Sequence, residues 1–218
     1  MEPADATGAA IRFGTDGWRA VIAEDFTFEN VRRVARAIAR YLLGNEDYRK
    51  GVIVGYDCRF LSGRFARAAA EEIAGSGIPV CLAESFATTP AIAFAVRNRR
   101  TAGAVVITAS HNLWQWNGVK FKASYGGSAA PEIMRKIEAE LPHATGPMRT
   151  ESGEGRLETA DLVEPYLQEI ERVVDFQRIA ARDFFLVADP LFGAARQCLA
   201  LLFARNGIRH REIHGEAN

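Results

Sequence analysis

The sequence is short of cysteine, of net charge and of long apolar runs, and each shortage removes a class of protein. Its three cysteines, Cys58, Cys81 and Cys198, are odd in number and form no C-x-x-C pair, so a disulfide framework or a structural zinc site has no support. With 27 Lys and Arg against 27 Asp and Glu, no diffuse positive field draws in phosphate backbones or acidic lipid, and neither nucleic acid nor a membrane surface is an expected partner. Charges or glycines interrupt the apolar stretches well before the roughly 18 residues of a bilayer span. Residues 1–10 are small and polar, with acids at Glu2 and Asp5 and no basic start or apolar block of a secretory signal. The expectation is a cytoplasmic protein with a loose leader.

What is present is an ordinary apolar fraction, 48% of 218 residues, enough for a packed core in one large domain or one domain and part of another. Between Thr27 and Leu43 apolar residues recur at helical spacing among Arg32, Arg33, Arg36 and Arg40, which predicts an amphipathic helix capped by Thr27. Residues 51–56 read as a buried strand, 57–63 as a loop, 64–75 as an Ala-rich helix and 78–82 as a second strand, hence a parallel β-loop-α-β unit. Thr89 followed by Pro90 predicts a helix start. Strands follow at 104–107 and 118–123, then a helix at 131–141. Pro, Gly, Thr, Ser and Glu dominate 142–157, which reads as a linker, with a helix over 163–179 and a strand from 184 beyond it.

The later segment echoes the earlier one. A strand ending in Asp57, then Gly63 and Gly77-Ile78, is matched by a strand ending in Asp189, then Gly193 and Gly207-Ile208, with equal glycine spacing. An internal repeat and two units obeying the same turn rules both account for this. The pattern predicts an α/β fold: a three-layer α/β/α domain on a mixed, mostly parallel sheet over residues 1–150, and over 151–218 a linker, a helix and a partial second unit of the same kind.

Two stretches carry chemistry. Thr108-Ala109-Ser110-His111-Asn112 leaves a hydrophobic strand ahead of Asn117-Gly118-Val119-Lys120, and the carboxyl ends of strands are where ligands collect in open α/β sheets. A hydroxyl, an imidazole, two amides and a lysine suit phosphoryl chemistry, in which developing charge needs donors and a cation; the same residues also serve simply to turn a chain and cap amides. Near the start, Arg12 and Arg19 flank Gly14 and Gly17, a combination suited to an oxyanion pocket. His210 and His214 lack the Glu of a zinc helix, Gly126-Gly127 reads as a turn, and Arg97, Arg99 and Arg100 read as a helix C-terminus.

Together these stretches resemble the α-D-phosphohexomutase family of phosphoglucomutases, phosphomannomutases and phosphoglucosamine mutases. Residues 108–112 with 117–120 are similar to the family's phosphoserine loop, Phe13 to Arg19 to its opening Phe-Gly-Thr-x-Gly-x-Arg, Gly55 to Arg59 with Ser62-Gly63 to its Gly-x-Asp-x-Arg-x-Ser-Gly, and Thr88-Thr89-Pro90 to its Thr-Pro turn. One departure is Leu113, where the family has proline, beside Trp114 and Trp116.

The resemblance implies an isomerase of carbohydrate metabolism that moves a phosphoryl group between positions 1 and 6 of a hexose phosphate through a phosphoserine. Ser110 would be the carrier, Lys120 and Arg19 would stabilise charge and move protons, and His111 would orient the loop or pass on a proton. Thr108, Asn112, Asn117 and Arg12 would shape the phosphate pocket. Simpler readings leave Lys120 as a solvated strand residue, Arg19 as a partner of Asp16 or Asp57, and Asp57 with Arg59 as a structural ion pair. The family implies Mg²⁺ on the Ser110 phosphate and on an Asp-Gly-Asp-x-Asp-Arg loop, and a glucose 1,6-bisphosphate-type activator. That loop, and the family's later sugar and phosphate segments, do not occur in this sequence. The resemblance therefore implies domain I and the start of domain II, little or no turnover by the chain alone, and self-association through the partial second unit. A different class remains beside it: a catalytically silent sugar-phosphate-binding or assembly module.

Overall fold

The computed structural model describes residues 11–14, 17–148 and 155–217. Six strands form one sheet: β1 (Trp18–Val21), β2 (Val52–Tyr56), β3 (Val80–Ala83), β4 (Gly103–Ile107), β5 (Trp116–Ala123) and β6 (Leu157–Ala160), in the order β1-β5-β4-β2-β3-β6. The pairs β4–β2, β2–β3 and β3–β6 are parallel, and only β5 runs against its neighbours β1 and β4. β2, β3 and β4 are almost wholly buried, as expected for strands covered on both faces.

Helices α1 (Phe28–Asn45), α2 (Ser62–Gly75) and α4 (Pro131–Glu140) cover one face, where Val34, Ile38, Phe65, Ile73 and Ile137 pack on Val54, Val105 and Ile107. Helix α3 (Thr89–Arg99) covers the other face, with Ile92 and Val96 against Ile53 and Val106. This is the expected three-layer α/β/α arrangement. Thr27 caps α1 by accepting from the Asn30 amide. The cap of α3 is Thr88, which accepts from Ala91 N and places Pro90 one position further into the helix than the sequence predicts.

α2 and α3 lie on opposite faces, and the chain reverses direction across the sheet between them. The C-terminal ends of β2 and β4 therefore flank the crevice where open α/β sheets bind ligands.

Two segments differ from the sequence reading. The linker read at 142–157 gives way to β6, which pairs with β3 from Val80↔Leu157 to Ala83↔Ala160, so residues beyond 150 complete the first sheet. Leu157-Glu158-Thr159-Ala160 is too short and too polar to stand out as a strand; an existing edge recruits it. The helix read over 163–179 is two helices, α5 (Glu164–Val173) and α6 (Phe176–Ala180). Val174 is extended, and the Asp175 carboxylate accepts from Arg178 N, capping a new helix instead of continuing the old one.

Strands β7 (Leu186–Ala188) and β8 (His210–Glu212) pair in parallel around α7 (Cys198–Arg205), over a small cluster of Leu167, Phe176, Leu202 and Ile208.

Candidate active site

Backbone pairing brings the two chemically loaded loops together. The Asp57 amide, one residue past β2, donates to Ile107 O at 3.0 Å, and the Thr108 amide, one residue past β4, donates to Gly118 O at 2.9 Å. From there the chain turns tightly: Ser110 N donates to Thr108 Oγ1 at 3.0 Å, Asn112 N to Ala109 O at 3.1 Å and Trp116 N to Leu113 O at 3.1 Å. Ser110 sits exposed at the tip with φ of +57°, a left-handed conformation that serine seldom adopts outside tight turns. Such a residue costs on the order of 1 kcal/mol or more and persists only where its surroundings enforce it. The Oγ of Ser110 lies 3.5 Å from Nδ1 of the exposed His111, a long contact whose donor depends on the tautomer.

The enforcement comes from below. Asp57 pairs with Arg59 (Oδ2 to Nε, 3.4 Å), accepts from Arg59 N at 3.0 Å and accepts from the Ser62 hydroxyl at 2.8 Å. The buried Asn117 side chain donates to Ser62 Oγ at 2.9 Å and accepts from Gly118 N at 2.8 Å, linking the two loops. Arg59 reaches further than the ion pair read from sequence, since its guanidinium meets four backbone carbonyls of the Ser110 loop. The sequence signal for this was the Gly-Tyr-Asp-Cys-Arg motif, but nothing in it indicates which loop the arginine reaches.

Arg19 enters from β1. It does not pair with Asp57, which Arg59 occupies, and Asp16 lies outside the described residues; its Nη1 donates to Asn112 Oδ1 at 2.6 Å. Arg19 is opposite Gly118 in the β1–β5 register, and a Cβ at Gly118 would stand 2.7 Å from Thr108 O and 2.9 Å from Arg19 Cγ. Only glycine leaves room for the arginine chain to cross. Along β5 side chains alternate between faces, so Lys120 shares the face of Gly118 and Arg19. Lys120 is buried there, not solvated.

Thr108, Ser110 and Asn112 line a cleft of about 740 Å³ with Asp57, Cys58, Arg59, the Thr88-Thr89-Pro90 turn, Trp114, and residues 190–195 of the second unit. Trp114 is 79% exposed and forms an aromatic rim. Burial, then the charge of Asp57, pushes the Cys58 thiol up, so it is a poor nucleophile beside the exposed serine. Asn117 is buried under the loop, His111 is beside Ser110 without lining the cleft, and Arg12 is exposed on a segment anchored to α4 by the Phe13 amide on Glu138 Oε1. Arg12 does not line the cleft.

Residues 10–146 match the family model described as phosphoglucomutase/phosphomannomutase, alpha/beta/alpha domain I. The chain is 35% identical over 209 residues to a phosphoglucosamine mutase of Natranaerobius thermophilus, covering 94% of this chain and 45% of that protein. It is 30% identical over 200 residues to a phosphoglucomutase of Staphylococcus saprophyticus, covering 85% of this chain and 35% of that one. A solved structure from Thermus thermophilus, assigned as a phosphomannomutase, superposes with a TM-score of 0.85 at 39% identity, over 97% of this chain and 47% of that one. The chain thus spans half or less of the length of these relatives. The match over residues 10–146, on this α/β/α layer structure, establishes that the chain belongs to the phosphoglucomutase/phosphomannomutase family and carries its domain I.

Proposed function

We propose that this chain holds the phosphoryl-carrying part of a phosphohexomutase, with Ser110 as the carrier and a hexose phosphate as substrate. The observation that supports it most is the placement of Ser110, exposed and left-handed at the switch-point crevice, with Arg19 tied to the same loop. In the forward step a hydroxyl of the sugar phosphate attacks the phosphorus on Ser110; the bond from phosphorus to Oγ breaks, the bond to the sugar oxygen forms, and the hydroxyl proton passes to the serine oxygen. The return step runs the same exchange with the sugar's other phosphate, so that the 1 and 6 positions trade a phosphoryl group. Arg19 and Lys120 supply the positive charge that the transferring group requires, and His111 moves a proton at Ser110 Oγ. Asn112 and Asn117 shape the loop, and Thr108 holds the Ser110 amide.

When bound, Mg²⁺ would neutralise charge on the phosphoserine. Among the described residues no three His, Cys, Asp or Glu side chains converge on a metal position, and the nearby Asp57 is already engaged by Arg59 and Ser62. The described residues thus do not fit a Mg²⁺ site of their own, and no step here runs through the metal. This observation favours, as a second reading, a sugar-phosphate-binding module that turns over little or nothing alone. Self-association of two copies through the exposed Val187, Leu199 and Leu201 of the second unit belongs with it, and light scattering distinguishes monomer from dimer. No helix among the described residues is long and apolar enough to cross a membrane, and the cytoplasm is the proposed location.

Intact-mass spectrometry with peptide mapping, before and after incubation with glucose 1,6-bisphosphate and Mg²⁺, tests the carrier role. One added phosphate on Ser110, absent from Ser110→Ala, is the expected result. No phosphate on Ser110 leaves the binding-module reading.

A further inference from the structure

Arg59 lines the cleft within reach of Ser110, and a cation in that place invites assignment as a phosphate ligand. Its hydrogen bonds argue otherwise. A guanidinium has five N–H groups. Nη1 donates to Leu113 O at 2.8 Å and Trp116 O at 3.1 Å, Nη2 donates to Ser110 O at 2.8 Å and Asn112 O at 2.6 Å, and Nε faces Asp57 Oδ2 at 3.4 Å. The four Nη protons are taken by loop carbonyls and Nε faces Asp57 in an ion pair, so the Nη groups could bind a phosphate only by releasing the loop that presents Ser110. The charge is balanced as well, by the Asp57 carboxylate on one side and four carbonyl dipoles on the other.

Those four carbonyls belong to both ends of the turn, before and after Trp114, and one of them is the carbonyl of the strained serine itself. A planar fork that collects them fixes the spacing of the loop ends and resists relaxation of Ser110 out of its left-handed conformation. The fork is held in turn: Asp57 is anchored to β4 through its amide and to α2 through Ser62, whose hydroxyl meets Asn117 of β5. Residue 113 is a leucine, so no proline ring stiffens that point, and the Leu113 carbonyl is one of the four that Arg59 holds.

We propose that Arg59 is the positioning residue that holds Ser110 in its exposed, left-handed conformation, and that it does not bind the phosphate. The part concerning transfer rests on the reading of Ser110 as phosphoryl carrier; the part concerning the loop does not. Lysine keeps the charge but has three donors and no plane, so Arg59→Lys separates positioning from charge.

Hydrogen exchange of the full chain, followed by mass spectrometry, tests the loop. In Arg59→Lys the amides of residues 110–116 should exchange roughly tenfold faster or more, while β2 and α2 keep their protection. Unchanged exchange over 110–116 overturns the proposal. Should β2 and α2 also lose protection, Asp57→Asn decides: its amide oxygen keeps an acceptor for Ser62 and the Arg59 amide, while the counter-charge and the acceptor facing Arg59 Nε are lost, and a smaller acceleration confined to 110–116 supports the proposal, whereas none overturns it. Phosphoryl uptake from glucose 1,6-bisphosphate with Mg²⁺ tests the rest. In Arg59→Lys the maximal rate of Ser110 labelling should fall about tenfold or more with an unchanged half-saturating donor concentration. A raised half-saturation at unchanged maximal rate makes Arg59 a phosphate ligand and overturns the proposal. If the wild-type chain takes up no phosphoryl group, the carrier reading fails, and the exchange result still decides whether Arg59 holds the loop.

Discussion

The β2–α2–β3 and β7–α7–β8 units are built by the same local rules and end in different energetic circumstances. In each, an aspartate just past the strand accepts the amide two residues on, Asp57 from Arg59 and Asp189 from Leu191. Each helix starts after a left-handed residue without a side-chain cap, Leu61 and Gln197. Each ends with a side chain bonded four residues back, Ser76 to Glu72 O and Asn206 to Leu202 O, before a left-handed glycine, Gly77 and Gly207. The first unit then inserts into a six-stranded sheet, and eight residues of α2 are buried. In the second, Leu202 is the one buried residue of α7, and Val187, Leu199 and Leu201 are exposed. Turn chemistry decides the shape of such a unit, and the neighbours that cover it decide its stability.

The sharpest way to break this contrast is to empty the core of each helix. Phe65 is buried against Phe26 and Phe28, with ring centroids 4.8 and 4.5 Å away, so Phe65→Ala should cost about 3–5 kcal/mol of global stability. Phe203 is only partly buried, and Phe203→Ala should release β7 and β8 to hydrogen exchange while leaving the denaturant midpoint of the large sheet in place. Equal shifts of that midpoint would show the two units to be one cooperative block.

Ion pairs give a smaller version of the same contrast. Arg36, with 6% of its side chain exposed, bonds Glu72 of α2 through Nε and Nη2, and Glu29 through Nη1. Glu72→Ala strands much of a buried cation and should cost about 3 kcal/mol in urea unfolding. Arg205 pairs with Glu164 at the surface, and Glu164→Ala should change stability by less than about 1 kcal/mol.

The smallest expected effect concerns the two aspartates. Asp57 faces a permanent cation, whereas Asp189 faces His214 at 3.0 Å. The Leu191 amide, and then His214, hold the Asp189 carboxyl below the usual carboxylate range. A depressed acid stabilises the folded turn above its unfolded pKa, about 3.9, and that stabilisation is lost as pH falls through and below this value. The protection of the Leu191 amide, its exchange compared with intrinsic exchange at the same pH, should therefore fall on acidification below about pH 4, and Asp189→Asn should remove most of that change.

Much of the site was legible in one dimension because its chemistry lies in short runs. Residues 108–112 and 117–120 leave and re-enter the sheet at adjacent strands, so hydrophobic periodicity alone puts Ser110 at a strand end. The cap at Thr27 likewise follows from local hydrogen bonding. The sequence also determined the layer architecture, since buried strands alternating with amphipathic helices admit few other arrangements.

Only the tertiary structure decided the partners. That Arg19 reaches Asn112 across 93 residues, that Arg59 rather than Arg19 takes Asp57, and that Arg59 collects four carbonyls more than fifty residues away depend on which strands become neighbours. Strand β6 is the plainest case, a polar tetrapeptide that is a strand because β3 offered an open edge. A side chain's local conformation is set by its own backbone and nearest neighbours. Its hydrogen-bond partner is set by the packing of distant segments, which no short window of sequence contains.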